Sequence, residues 1–228
     1  MTTSVSGWAG RYLCVDLGRG RCEDVALDGA VLRDYLGGRG LGAWLMHRLT
    51  RADTAALSAE NVVALATGPL TGTRAPAAGR ASLSTLSPLT GTVMDTNAGG
   101  ALGIQLRRLG YDALVLTGRA PEPVYLEVTD QGAVLKSAAN VWGRDTAATT
   151  AFLKEAGGAA AAVAGIGPAG ENQVPYASIV VDGRRHFGRG GAGAVWGAKN
   201  LKGLVLRGGG SIAVADPEHW RFVLYETE

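Results

Sequence analysis

Thirty-five of the 228 residues are glycine, about twice the ~7% share of an ordinary chain, and their placement constrains the fold more than any other feature. They follow no G-X-Y period, which excludes a collagen triple helix. They sit beside apolar runs, not in polar low-complexity tracts, which excludes a flexible linker. What remains is a compact domain with many tight turns, or one whose backbone must let something approach closely. A hydrophobic fraction of 46% against 18% charged residues gives enough apolar material for the core of one domain or two small ones.

Between the glycines the apolar pattern is mostly that of strands. Residues 11–17 (RYLCVDL) alternate, with Leu13, Val15 and Leu17 on one face, and Gly18 to Gly20 predict a hairpin turn after them. Residues 61–66 (NVVALA) are a short apolar run suited to a strand covered on both faces. Residues 81–86 alternate again, and residues 112–117 and 123–129 predict a strand pair folded about Gly118–Pro121. Residues 133–136, 161–166, 176–181 and 203–207 complete the expected strands. Helices are fewer. Residues 29–49 carry a helical pattern broken by Gly37, Gly38, Gly40 and Gly42. Residues 100–109 stop at Gly110, and 146–156 have Asp145 or Thr146 as cap with Gly157-Gly158 as stop. A short helix follows Gly193. A last one opens at Asp216-Pro217 and aligns Trp220, Val223 and Leu224 on one face. Several neighbouring strands are joined by too few residues for right-handed crossovers, so the expected fold class is α+β, mostly antiparallel, with helices packed on sheets. Pro69-Leu70-Thr71-Gly72 recurs as Pro88-Leu89-Thr90-Gly91, which predicts two similar turns side by side.

Charge and cysteine content exclude several functions. The formal net charge of +2 is too small to make nucleic acid or an anionic membrane the main partner. Only four of the 22 cations are lysines (Lys136, Lys154, Lys199, Lys202); the rest are arginines, whose planar fork suits phosphate and carboxylate. Cys14 and Cys22 alone cannot supply four ligands to a structural zinc or an iron–sulfur cluster, nor a disulfide framework. The N-terminal MTTSVSGWAG has neither a basic nor an apolar signal region, and no stretch of about 18 apolar residues spans a membrane. A cytoplasmic chain is the expectation.

Four segments could carry chemistry. Arg74 to Arg80 (RAPAAGR) places arginines beside small residues that let an anion approach. Asp95-Thr96-Asn97-Ala98-Gly99-Gly100 runs toward the helix at 100–109 and offers backbone N–H groups to an anion; Asn97 can also offer an oxygen to a cation between two phosphates. Gly188-Arg189-Gly190-Gly191-Ala192-Gly193 contains G-x-G-x-x-G. It lacks the strand that a dinucleotide fingerprint needs before its first glycine, and with Arg184, Arg185 and Arg189 it suits a phosphate or polyanionic cofactor better. Gly167-Pro168-Ala169-Gly170-Glu171-Asn172 is a tight turn of structural character. No Walker lysine, H-E-x-x-H pair or C-x-x-C is present, and His47, His186 and His219 are scattered. The chain is equipped to hold an anion and poorly equipped for acid–base chemistry by itself.

The segments GRYLCVDL, YLGGRGLGAWLM, LSAENVVALATGPLTGTRAP, GRASLSTLSPLTG, TNAGGALGIQLRRLGYDALVLTG, VWGRDT, IGPAGENQVPYASIVVDG and GRGGAGAVWGAKNLKGLVLRG, in that order over roughly residues 8–208, resemble the N-terminal domain of the tungsten-containing aldehyde ferredoxin oxidoreductases. The resemblance implies two β-sheets forming a base for a tungsten (or molybdenum) bis-pterin cofactor, with magnesium bridging the pterin phosphates. It assigns Arg80 to the pterin, and Asn97, Ala98 and Gly99 to the cofactor, with Asn97 also at the magnesium. Arg189, Gly190 and Gly191 fall to the second phosphate-side loop. It further implies oxidation of an aldehyde to a carboxylate with ferredoxin as electron acceptor.

Family members continue into further, largely helical domains that carry a [4Fe–4S] cluster and the acid–base residues, and Cys14 and Cys22 do not match the cluster motif. The expected organisation is therefore a cofactor-cradling domain over 1–210 and the start of a linker helix over 211–228, leading toward missing domains or a partner subunit. The alternative is a non-catalytic pterin or phosphate-ligand carrier, or a scaffold remnant, that docks a partner through residues 216–228.

Overall fold

A computed structural model describes residues 6–227. The first sheet contains β1 (Arg11–Asp16), β2 (Arg21–Ala26), β3 (Val63–Ala66), β4 (Ala81–Leu86), β5 (Val93–Ala98) and β6 (Ala113–Thr117), in the order β2-β1-β6-β3-β4-β5. The second contains β7 (Val124–Thr129), β8 (Gly132–Ser137), β9 (Ala162–Gly165), β10 (Ile179–Val181), β11 (Arg185–Phe187) and β12 (Leu201–Arg207), in the order β11-β10-β9-β12-β7-β8. The helices are α1 (Gly29–Tyr35), α2 (Gly38–Leu49), α3 (Leu102–Arg108), α4 (Thr146–Gly157), α5 (Pro168–Glu171), α6 (Ala192–Ala198) and α7 (Pro217–Thr227). Among the ladders, β1–β6 and β7–β12 are parallel and the others antiparallel, so the α+β class and its antiparallel bias hold, in two mixed sheets.

The alternation within strands explains the layering. On β3, Val63 and Leu65 join a core shared with Leu126, Val128, Leu204 and Leu206 of the second sheet, whereas Ala64 and Ala66 join Leu41, Leu45 and Met46 of α2. The two sheets thus face each other across one core, and α1 and α2 cover the outer face of the first. On the outer face of the second, Leu153 of α4 packs with Tyr125, Val163 and Val205. Asp145 caps α4 by accepting from the Ala148 N–H at 2.8 Å, and Gly158 ends it. On α7 the apolar stripe turns inward, with Leu224 buried, Trp220 and Val223 half-buried, and Phe222 and Tyr225 exposed.

Three expectations need correction. Residues 112–117 and 123–129 do not form a hairpin: β6 lies between β1 and β3, while β7 lies between β12 and β8. β6 is apolar on both faces and buried along Ala113–Leu116, so a central position stabilises it and a half-open hairpin would not. The two Pro-Leu-Thr-Gly turns do not lie side by side. β3 and β4 are antiparallel, with Val63 opposite Thr85 and Ala66 opposite Ser82, so the turns leave from opposite ends. Finally, 29–49 is two helices. Gly37 between them has φ +143°, and a Cβ there would overlap the Thr67 carbonyl oxygen.

Two lysines are fully buried. Lys199 donates from Nζ to the carbonyls of Ala59 at 3.0 Å and Gly118 at 2.9 Å, tying the segment before β3 to the turn after β6. Burial, with Arg119 acting in the same direction, pushes its pKa down from 10.5 to about 8. Between those values the unfolded chain binds a proton that the folded chain does not, so stability rises with pH there. Relative to a Lys199→Met variant, the natural chain should gain about 2 kcal/mol in unfolding free energy between pH 7.5 and pH 10. Denaturant titrations of both proteins at the two pH values check this; a constant difference would contradict it.

Candidate cofactor cleft

β5 is the edge strand of the first sheet and β11 the edge strand of the second, and the two edges lie against each other. A cleft of about 620 Å³ opens along this seam. β5 contributes Asp95, Thr96 and Asn97; β11 and the loop after it contribute His186, Gly188 and Arg189; α2 contributes Arg39. The strand period puts Asp95 and Asn97 on the outward face while Thr96, between them, is buried. Thr96 Oγ1 accepts from the Arg189 N–H at 3.4 Å, and Ser87 Oγ donates to the Gly190 carbonyl at 2.7 Å. These two contacts attach the glycine loop of the second sheet to the edge of the first.

The side chain of Arg80 donates to Asn97 Oδ1, and Arg39 forms an ion pair with Asp95, its Nε lying 2.9 Å from Oδ1. Arg39, Arg80 and Arg189 are all exposed. Their guanidinium charges outnumber the single carboxylate of Asp95, which makes the seam cationic in a chain that is nearly neutral overall.

The structure therefore places Asn97 and Arg189, far apart in sequence, on one cleft, and Arg80, which does not line it, beside it through Asn97. It refines their setting. Asn97 and Ala98 are the last residues of β5, not a loop, and Ala98 is buried opposite Ala81. Gly99, just beyond, is open: a Cβ built on it meets nothing within 4 Å. Gly190 and Gly191 serve the fold itself. A Cβ on Gly190 would lie 2.8 Å from Met94 Cγ, and one on Gly191 would overlap the Pro175 carbonyl oxygen. Arg74, Arg184 and Arg185 are exposed and do not line the cleft. Arg39 and His186 do line it, and the sequence pattern gave no sign of either. Arg39 sits in a glycine-rich helix start, and His186 lies on a three-residue strand too polar to be recognised.

Two other segments resolve plainly. Contrary to the sequence expectation, a strand does end just before Gly188: β11 closes at Phe187. It is antiparallel to β10, however, so Gly188–Gly193 does not open a βαβ unit and the dinucleotide reading still falls. Glu171 is buried against Lys202, so its turn is structural. Cys22 lies opposite Val15 while Cys14 lies opposite Glu23, which puts the two thiols on opposite faces of the sheet. Burial pushes both thiols up. Among the described residues no helix is long and apolar enough to cross a membrane, and no group of three or more His, Cys, Asp or Glu side chains is placed to hold a metal ion.

Fold and cleft together define a two-sheet α+β domain with a cationic, glycine-bordered cleft at the seam of the sheets. The chain belongs to the family of the aldehyde ferredoxin oxidoreductase N-terminal domain, whose profile matches residues 12–208. The tungsten-containing aldehyde ferredoxin oxidoreductase of Pyrococcus furiosus is 40% identical over 95% of this chain, and 36% of that protein is covered. The aliphatic sulfonate oxidoreductase, WOR-like subunit, of the same organism is 32% identical over 95% of this chain and 37% of its own length. Among solved structures, the active site complex BamBC of benzoyl coenzyme A reductase with 1,5 dienoyl-CoA superposes with a TM-score of 0.92 at 36% identity, covering 97% of this chain and 34% of that one. The chain thus spans about a third of the length of the relatives it matches.

Proposed function

We propose that this chain is the cofactor-holding domain of a tungsten (or molybdenum) bis-pterin oxidoreductase that converts aldehydes to carboxylates, with ferredoxin accepting the electrons. The observation that carries it is the convergence of Asn97 and Arg189 on one cleft from separate segments, with Arg80 held beside it through its bond to Asn97. The cleft fits a ligand of this kind: exposed guanidiniums suit phosphate ends, and the open backbone at Gly99 leaves room for close approach.

In this role Arg80 and Arg189 bind the anionic ends, Asn97 offers oxygen to the bridging magnesium, and Ala98 and Gly99 offer backbone groups. Gly190 and Gly191 act one step back, by letting the Arg189 loop pack against Met94 and Pro175. When bound, the metal-pterin group supplies the two-electron chemistry. The chain supplies placement and charge. The remaining parts, including the [4Fe–4S] cluster, the acid–base residues and the substrate channel, belong to further domains or a partner subunit in the cytoplasm. By their names, the relatives act on aldehydes, sulfonates and a coenzyme A thioester, which supports a domain that holds the cofactor and leaves substrate choice to other parts.

Anaerobic purification from the natural host, followed by elemental analysis for tungsten, molybdenum and iron, tests this assignment. Stoichiometric tungsten or molybdenum together with iron is expected, the iron arriving with the cluster-bearing part. Arg80→Ala and Arg189→Ala should each lower retained metal about tenfold, the loss of one charge-assisted phosphate contact. Unchanged metal in both variants would overturn the cofactor assignment. A preparation free of metal would favour the non-catalytic carrier or scaffold.

A further inference from the structure

Of the remaining side chains on the cleft, Arg39 is held most deliberately. It lies in the first turn of α2, and the backbone around it is fixed on both sides. The Gly38 N–H donates to the Thr67 carbonyl at 2.9 Å, and a Cβ on Gly40 would overlap the Tyr35 carbonyl oxygen. Leu41 and Leu45, fully buried, lock the same helix onto the first sheet. Only the side chain of Arg39 is adjustable, and Asp95 holds it near β5 through an ion pair, with Nε 2.9 Å from Oδ1. The carboxylate thereby lies beside the Nε edge of the guanidinium. The side chain remains 73% exposed, with the other edge of its fork available.

Asp95 itself needs an explanation, because a carboxylate on a cleft that receives anions repels them. Paired with Arg39 it has one: the guanidinium offsets its charge while it orients a bidentate donor, whose fork loses less entropy per bond when pre-organised. We propose that Arg39 is a further binding residue of the cleft, meeting a phosphate or similar dianionic end of the ligand, and that Asp95 is its positioning residue. This rests on the assignment above only in that the cleft receives an anionic group. The other charged or titratable groups on the cleft are Arg189 and His186, and neither contacts Arg39 among the hydrogen bonds and ion pairs described.

Calorimetric titration of the full chain with pyrophosphate, free of magnesium and at fixed pH and salt, is the test. Arg39→Ala should weaken pyrophosphate about tenfold, and Arg39→Lys should recover only part, since an ammonium lacks the fork. Asp95→Asn separates orientation from charge. As a positioning residue, its loss weakens binding about threefold in the natural chain despite removing a negative charge, and does not weaken it in the Arg39→Ala background. Tighter binding after Asp95→Asn in both backgrounds would reduce Asp95 to a repulsive charge and overturn the pairing. If Arg39→Ala binds like the natural chain while Arg80→Ala and Arg189→Ala lose affinity, the Arg39 assignment fails and the cofactor cleft stands. If the natural chain does not bind pyrophosphate, both fail. Arg39 is exposed, so its variants should melt within about 2 °C of the natural chain; should the alanine variant not fold, Arg39→Lys carries the comparison.

Discussion

Replacing Gly191 by alanine is expected to lower the unfolding free energy by about 2–5 kcal/mol, from about 1–2 for a left-handed non-glycine residue and about 1–3 for forcing a methyl group into packed surroundings. Its φ is +82°, and the added Cβ would overlap the Pro175 carbonyl oxygen and lie 2.9 Å from Pro88 Cγ. Both neighbours belong to ordered turns, one on each sheet, so neither yields without moving the seam that forms the cleft. The thermal midpoint should fall by about 10 °C for a chain of this length. Gly99→Ala is the counterpart. Its Cβ meets nothing, so stability should change by no more than about 0.5 kcal/mol, while cofactor content falls if a ligand approaches that backbone as proposed. Thermal melts and metal analysis of the two variants separate a glycine that serves the fold from one that serves the ligand. Equal melting points would mean that the loop is not seated against Pro175.

The contrast between these glycines shows what could be read from the chain. Glycine abundance pointed to close approach, but not to whether the approaching group was the protein or a ligand, because that depends on partners over 100 residues distant, such as the Ser87 contact with Gly190. Strands with a strong apolar pattern were legible: β3 is buried at every residue, and its sequence has no polar position. β5 (VMDTNA) and β11 (RHF) were not, since edge strands facing a polar cleft lose the period-2 signal that marks a half-buried strand. Pairing partners were the hardest. β6 and β7 are neighbours in sequence, yet each finds its parallel partner elsewhere, β6 with β1 and β7 with β12, and only burial on both faces of β6 explains the choice. The site followed the same division. Arg80, Asn97 and Arg189 were legible through their glycine-rich surroundings, whereas Arg39 and His186 reach the cleft only because α2 and β11 fold toward β5.

Removing the carboxylate of Glu171 should cost about 3–5 kcal/mol, because it leaves a buried ammonium without its counter-charge. Lys202 is 0% exposed at its side chain and Glu171 6%. Lys202 Nζ donates to Glu171 Oε1 and, at 3.0 Å, to the Arg144 carbonyl; Glu171 Oε2 accepts from the Gly143 N–H at 2.8 Å. One ion pair thus joins β12, α5 and the turn before α4, and α5 in turn packs on α6, which follows the cleft loop. Glu171→Gln keeps the shape and an acceptor for Gly143 but not the charge, so it should lose most of the same stability. The double variant Glu171→Leu/Lys202→Met removes both charges at similar volume and should be more stable than either single change, because a buried pair replaced as a unit escapes the desolvation cost that a lone charge cannot. Denaturant unfolding of Glu171→Leu, Lys202→Met and the double variant gives the coupling directly. Additive losses would show that the two side chains do not compensate each other, and that the cleft loop is supported by packing alone.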